Sequence, residues 1–219
     1  MEPIEGNLHN MRENYESGTL DIHGVYPSAM QQFAFWFEAA GKAGIEEPNA
    51  MVLSTVDASN KPSSRVVLLK EFDASGFIFF TNYNSQKGKD LAHNPNACLN
   101  FWWSKLERQV RINGTIEKIA EKESDDYFYS RPIGSQAGAI ISPQSSVIES
   151  RAWLEQRLIE VQLKGELKRP EHWGGYKLTA TVIEFWQGRS NRLHDRLLYT
   201  KLAKHLSGGF SSAFVSITK

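Results

Sequence analysis

The sequence predicts a mainly β fold of the α+β class: an antiparallel barrel with helices packed around it. Three observations predict it. Between Ala50 and Ile119, apolar residues recur with a period of two in five runs joined by short polar turns, as hairpins require and βαβ units do not. Helical spacing is found before and after that block, with a single short helix inside it. A chain of 219 residues with 41% hydrophobic and 11% aromatic content is enough for one sizeable core.

Residues 1–26 are polar with little periodicity and are expected to form a mobile N-terminal arm, in which Arg12 and Tyr15 stand out. Residues 27–219 are expected to form a single domain. Ser28 reads as an N-cap, with Met30, Phe33, Ala34 and Phe37 on one face of a helix ending near Gly41 and Gly44. That aromatic stripe reads as core. Ala50–Asp57 is the first expected strand, Ser59 to Pro62 a turn, and Ser64–Phe72 the second strand. Asp73 to Gly76 turns the chain into Phe77–Asn82. A short helix covers Ser85 to His93, and Ala97–Trp103 pairs with Glu107–Ile119. Helices follow at Glu121–Ser130, Ser135–Ile141 and Ser150–Lys164, where Leu154, Leu158 and Val161 repeat at helical spacing. Trp173-Gly174-Gly175 reads as a break before a strand from Lys177 to Trp186. Beyond Gly188 an extended chain would put Arg192, His194 and Arg196 on one face, and Leu193 and Asp195 on the other.

Twenty-five basic and twenty-five acidic residues cancel, which argues against nucleic acid or an anionic membrane as the main partner. Cys98 is the only cysteine, so no internal disulfide forms, and a reducing, cytoplasmic setting is expected. The first twenty residues carry Glu2, Glu5, Arg12, Glu13 and Glu16 and no apolar core, unlike a secretory leader. No apolar run approaches the roughly eighteen residues of a membrane span. Neither a Gly-rich nucleotide loop nor a paired Cys/His metal spacing is present, so no metal is expected.

Four groups could carry chemistry. Arg65 and Lys70 bracket Val66-Val67-Leu68-Leu69; within one strand they face opposite sides and could serve two anions, or be snorkelling ends of a buried strand. Thr81 to Lys87 is a polar turn opening a helix, able to offer N–H groups, hydroxyls and Lys87 to a phosphate. Tyr127, Arg131 and Ser135 stand four apart around Pro132, as either a phosphate clamp or a capped helix pair. Gln109, with Gln144-Ser145-Ser146, suits the rim of a heterocycle. Two phosphate-grade groups and ring-grade amides favour a phosphorylated organic cofactor and a phosphorylated substrate.

Arg65-Val66-Val67-Leu68-Leu69-Lys70, Phe80-Thr81-Asn82, Glu107-Arg108-Gln109-Val110, Tyr127 through Arg131-Pro132 to Ser135-Gln136, Gln144-Ser145-Ser146, and Phe185-Trp186-Gln187-Gly188 through Arg192-Leu193-His194-Asp195-Arg196 together resemble the pyridoxamine 5′-phosphate oxidase family. The likeness runs from about Met11 to Tyr199. It implies an FMN-binding split β-barrel with flanking helices, working as a homodimer with a flavin at each end of the interface. By the same resemblance the FMN contacts are Arg65, Val66, Val67, Leu68, Leu69, Lys70, Phe80, Thr81, Gln86, Lys87, Gln109, Gln144, Ser145, Trp186 and Arg196. Lys70, Tyr127, Arg131 and Ser135 hold the substrate phosphate. Arg192, Leu193 and His194 lie at the pyridine ring, with Arg192 and His194 in catalytic roles, and Arg12 to Tyr15 form a lid. The implied reaction converts pyridoxamine 5′-phosphate or pyridoxine 5′-phosphate to pyridoxal 5′-phosphate. Hydride passes from C4′ to the flavin, and O2 is reduced to hydrogen peroxide.

Two departures stand against that pattern. The family usually has Ser-Arg-Lys where this chain has Ser85-Gln86-Lys87, which predicts weaker flavin retention. From Lys201 the chain runs through Ser207-Gly208-Gly209 to Ala213–Ile217 in place of the family's usual last strand. Two functions are therefore expected from the sequence: a working oxidase, or a catalytically weak splice-type isoform that binds FMN or pyridoxal phosphate or pairs with full-length subunits. A generic flavin reductase on the same barrel fits Arg65 and Lys87 but not Tyr127, Arg131, Ser135, Arg192 and His194 together.

Overall fold

The computed structural model describes residues 13–163, 165 and 167–201. Arg12 and the expected tail strand at 213–217 lie outside the described residues. The architecture is α+β and mainly β: among the described residues, one antiparallel sheet of eight strands with five α-helices.

The strands are β1 (Ala50–Val56), β2 (Pro62–Leu68), β3 (Glu71–Asp73), β4 (Gly76–Asn82), β5 (Asn96–Trp103), β6 (Arg108–Lys118), β7 (Trp173–Gln187) and β8 (Asp195–Thr200). Along the sheet they run β2-β1-β5-β6-β7-β4-β3, with β8 also paired to β7. β2 and β3 stand at opposite ends of this order, yet only Leu69 and Lys70 separate them in the chain. The sheet must therefore curl until its ends meet, which makes the open-sided barrel. The seam falls between neighbouring residues: Leu69 N–H donates to Asn49 O, beside β1, at 2.9 Å, and Lys70 N–H to Ile78 O, on β4, at 2.9 Å.

That seam corrects the single strand expected over Ser64–Phe72, which is two strands broken at Leu69-Lys70. Lys70 accordingly lies past the end of β2 rather than on one strand with Arg65. Trp173-Gly174-Gly175 is likewise no break; it is the start of β7, where two glycines let other groups approach. A Cβ at Gly174 would stand 2.2 Å from the Tyr83 hydroxyl.

Helix α1 (Ala29–Lys42) plugs the barrel with Phe33 and Trp36, both buried, and Phe33 meets Phe72, Phe77 and Phe101 edge-on. Emptying the Phe33 position would cost about 3–5 kcal/mol. α2 (Gln86–His93) is capped by Ser85, whose Oγ accepts from Gly88 N–H. α3 (Glu121–Ser130) ends at Arg131, because Pro132 forbids another helical turn, and α4 (Ile133–Ile141) begins directly after it. In α5 (Arg151–Leu163), Leu154, Leu158 and Val161 are half-buried and no residue is fully buried. Among the described residues, no helix is long and apolar enough to cross a membrane.

Candidate active site

A cavity of about 680 Å³ opens where the ends of β2 and β4 meet α2 and the α3–α4 junction. Val66, Val67 and Leu68 line it from β2, and Lys70 stands just beyond them. Phe80 and Thr81 come from β4, Lys87 from α2, and Tyr127, Arg131 and Ser135 from the helix junction. Gln144 closes the rim. Eleven residues singled out in the sequence thus meet in one space. Lys70, Lys87 and Arg131 are its cations, and no Asp or Glu lines it among the described residues.

Lys87 is only 7% exposed. Its ammonium donates to Gln144 Oε1 at 2.9 Å and to Ser85 Oγ at 3.4 Å, and it forms no ion pair among the described residues. Burial pulls its pKa down and nearby Arg65 adds to this, while Asp90 opposes. Arg131 lies 4.6 Å above the Trp173 ring, with Nη1 buried and without a partner. Burial lowers its pKa as well, against Tyr127. Trp173, Tyr127 and Phe80 form a triangular cluster of near-parallel rings, Phe80 and Tyr127 lying 3.8 Å apart. A buried cation and an unpartnered guanidinium nitrogen in an acid-free cavity are the donor set that phosphate groups require.

Arg65 sits behind this wall rather than on it. Its Nη1 donates to Thr55 Oγ1 at 2.7 Å and to Leu53 O at 3.3 Å, and its Nη2 to Ser63 Oγ at 2.6 Å. Asp90, 2% exposed, lies 3.7 Å from Nη2. Burial pushes the Asp90 carboxyl pKa up, but hydrogen bonds from Thr55, Gln86 and Ser63, with Arg65, hold it below its usual value. Gln86 is therefore turned to Asp90, its Nε2 donating at 2.8 Å, and does not line the cavity. Leu69 is buried in the core, and Ser145 is exposed beside Gln144 with a φ of 68°.

The remaining candidates gather elsewhere. Gln109 on β6, Trp186 on β7 and Arg196 on β8 are cross-strand partners in one row. Arg196 Nη1 stands 3.6 Å from Glu184 Oε2, which also takes Arg111 at 3.1 Å. Past Gly188 the chain is not extended as expected. Ser190–Arg192 form a 3₁₀ turn, with Asn191 at φ 54° and Arg192 at φ 60°. The alternation of Arg192, His194 and Arg196 is thereby lost, because two left-handed residues rotate the chain between β7 and β8. A second cavity of about 340 Å³ is lined by Tyr15, Arg189, Arg192 and His194, with Glu13, Asn14 and Asn191. Leu193 is 56% exposed and outside it.

The His194 ring lies 4.6 Å from Trp186 and 5.8 Å from Tyr15, and its Nδ1 accepts from Arg189 N–H at 3.1 Å. Burial lowers its pKa, as do Arg196 and Arg192, against Asp195. The two cavities share no lining residue.

Sequence reasoning missed Asp90, Trp173 and Glu184. Asp90 offered only its i, i+4 spacing from Gln86. Trp173 was hidden by the glycines after it. Glu184, 8% exposed with one carboxylate oxygen unpartnered, was visible only as a charge inside an apolar strand.

Residues 37–165 match the family model described as pyridoxamine 5′-phosphate oxidase, and residues 173–212 that of the pyridoxine 5′-phosphate oxidase C-terminal dimerisation region. The chain is 57% identical, over 203 residues, to the pyridoxine/pyridoxamine 5′-phosphate oxidase of Burkholderia thailandensis, covering 92% of this chain and 95% of that one. The same values hold for the relative so named in Burkholderia pseudomallei. Among solved structures, PhzG from Burkholderia lata 383, in complex with tetrahydrophenazine-1-carboxylic acid, matches with a TM-score of 0.80 at 27% identity, covering 90% of this chain and 99% of that one. A pyridoxamine 5′-phosphate oxidase-related, FMN-binding protein from Nostoc punctiforme shares the fold, with a TM-score of 0.68 at 13% identity over 88% of this chain and 100% of that one.

Proposed function

The chain belongs to the pyridoxamine 5′-phosphate oxidase family, and from that premise we propose that it makes pyridoxal 5′-phosphate with FMN as cofactor. Its substrates are pyridoxamine 5′-phosphate and pyridoxine 5′-phosphate. O2 is the electron acceptor, H2O2 is released, and ammonia leaves from the amine. The observation that carries the reading is the acid-free cavity, with Lys87 buried and uncompensated and Arg131 Nη1 unpartnered.

FMN, when bound, supplies a ring that accepts hydride and passes electrons to oxygen. The chain's own residues do the rest. Lys87 and Thr81 meet the cofactor phosphate, with Arg65 behind them adding positive charge. Lys70, Arg131, Tyr127 and Ser135 hold the substrate phosphate, and the Trp173 ring beneath Arg131 limits where its guanidinium can reach. Gln109, Trp186 and Arg196 serve the cofactor from the row across β6, β7 and β8. Arg192 and His194 orient the pyridine ring, and Tyr15 covers it.

The two halves are joined by a second copy. In a homodimer, an isologous contact brings the Arg192–His194 turn of one protomer to the phosphate cavity of its partner. The match of residues 173–212 to a dimerisation region supports this, since that span holds the turn and two members of the row, Trp186 and Arg196. The chain's one cysteine, free and half-buried, suits a cytoplasmic setting.

The test is a visible spectrum of the purified protein, followed by peroxide release with pyridoxine 5′-phosphate. Flavin absorbance and peroxide are expected. A colourless protein that stays inert with added FMN overturns the proposal. Turnover of a tricyclic carboxylic acid in preference to either phosphate would move the substrate class while leaving the cofactor in place.

A further inference from the structure

We propose that Asp195 is a positioning residue for this site: it fastens the segment carrying Tyr15 to the turn carrying His194, and through Arg189 it sets which nitrogen of the His194 ring bears the proton. Asp195 opens β8, its side chain 15% exposed. A single oxygen, Oδ2, accepts from Leu20 N–H at 3.0 Å and from Arg189 Nη1 at 2.7 Å. The backbone N–H of that same arginine donates to His194 Nδ1. A peptide N–H always carries its hydrogen, so Nδ1 must present a lone pair, and the neutral ring holds its hydrogen on Nε2.

The segment is secured a second time. Ser17 N–H donates to Glu107 Oε2 at 2.9 Å, and Glu107 O accepts from Gly188 N–H at 2.7 Å. Between these two carboxylates the Tyr15 ring lies over Gly188, so close that a Cβ there would stand 2.8 Å from ring carbons. Only glycine leaves that space. Asp195 therefore ties together the covering tyrosine, the turn and the ring nitrogen. The chemical consequence is that His194 offers Nε2–H to an acceptor atom of the substrate and does not take a proton at that nitrogen.

The identity of the substrate rests on the reading above; the tautomer does not. The test uses the FMN-loaded full chain with 15N-labelled histidine, observed by long-range 1H–15N correlation at about pH 8, above the ordinary histidine value. The Nε2–H pattern is expected for the signal that His194→Gln removes. Asp195→Asn keeps an acceptor for Leu20 but loses the charge on Arg189. It should mix the two tautomers and raise KM for pyridoxine 5′-phosphate about tenfold, with kcat and FMN content changed far less. Asp195→Glu should recover part of both effects. An Nδ1–H pattern in the unmodified protein overturns the proposal, and so does an Asp195→Asn protein with tautomer and KM unchanged. Because the spectrum is read without substrate, the expected pattern and its loss in Asp195→Asn would uphold the positioning role even if no pyridoxine 5′-phosphate were oxidised.

Discussion

The cavity beside α2 and the cavity at the turn after β7 are both lined by basic side chains, and they are built in opposite ways. In the first, Lys87 projects from a capped helix and Arg131 rests on the Trp173 ring, so packing sets their positions. In the turn, Asn191 and Arg192 are themselves left-handed, and His194 is held by a single hydrogen bond from Arg189 N–H, whose side chain is in turn held by Asp195. On the proposed function the difference separates two tasks. Phosphate groups, of cofactor and substrate alike, would be gripped by side chains the core holds in place, whereas the substrate's ring, which must enter and leave, would meet a turn held by few contacts.

The largest effect that sharpens this contrast is expected from Arg192→Ala. It should lower kcat/KM about 10²–10³-fold while FMN content, read from the flavin-to-protein absorbance ratio, stays near that of the parent. Equal loss of both would erase the distinction between the regions. Lys87→Met should do the reverse and weaken FMN binding about 10- to 100-fold, as the loss of a charge-assisted bond of about 1.5–3 kcal/mol implies. Because it also removes a buried charge, the melting temperature of the flavin-free variant should not fall.

A smaller effect follows from pH. His194 holds its proton less tightly in the folded chain than a free histidine side chain does, whose ordinary pKa is 6.5. The unfolded chain therefore protonates first as pH falls, so the neutral ring's contribution to stability is present above 6.5 and is lost through the lower folded value. The acid limb of kcat/KM should have its midpoint below 6.5, and His194→Gln should lack that limb. Gln86→Arg should change least. Its guanidinium would meet Asp90 before any ligand, so FMN affinity measured by titration should move by less than about tenfold. A larger gain would put position 86 on the cavity itself.

The strands and helices were legible because period two and period 3.6 come from local geometry. The break at Leu69-Lys70 was not, because Ser64–Phe72 contains no Gly, Pro or Asn to mark a turn, and only the curl of the whole sheet creates the seam. The cavity was legible in part: Lys87, Tyr127, Arg131 and Ser135 carried their chemistry in type and spacing. Gln109, Trp186 and Arg196 did not, since what makes them one row is the register of three strands distant in sequence. That link came from the family resemblance. Asn191 and Arg192 show the opposite limit, because no local residue pattern announced a positive φ at an arginine.

Phe80, Tyr127 and Trp173 form a triangle of near-parallel rings, with centroids 3.8, 5.6 and 6.2 Å apart. Arg131 lies over only one of them, Trp173. The guanidinium is therefore seated on an apolar floor that two further rings brace from the side, so a substitution at Phe80 would disturb Arg131 without touching it.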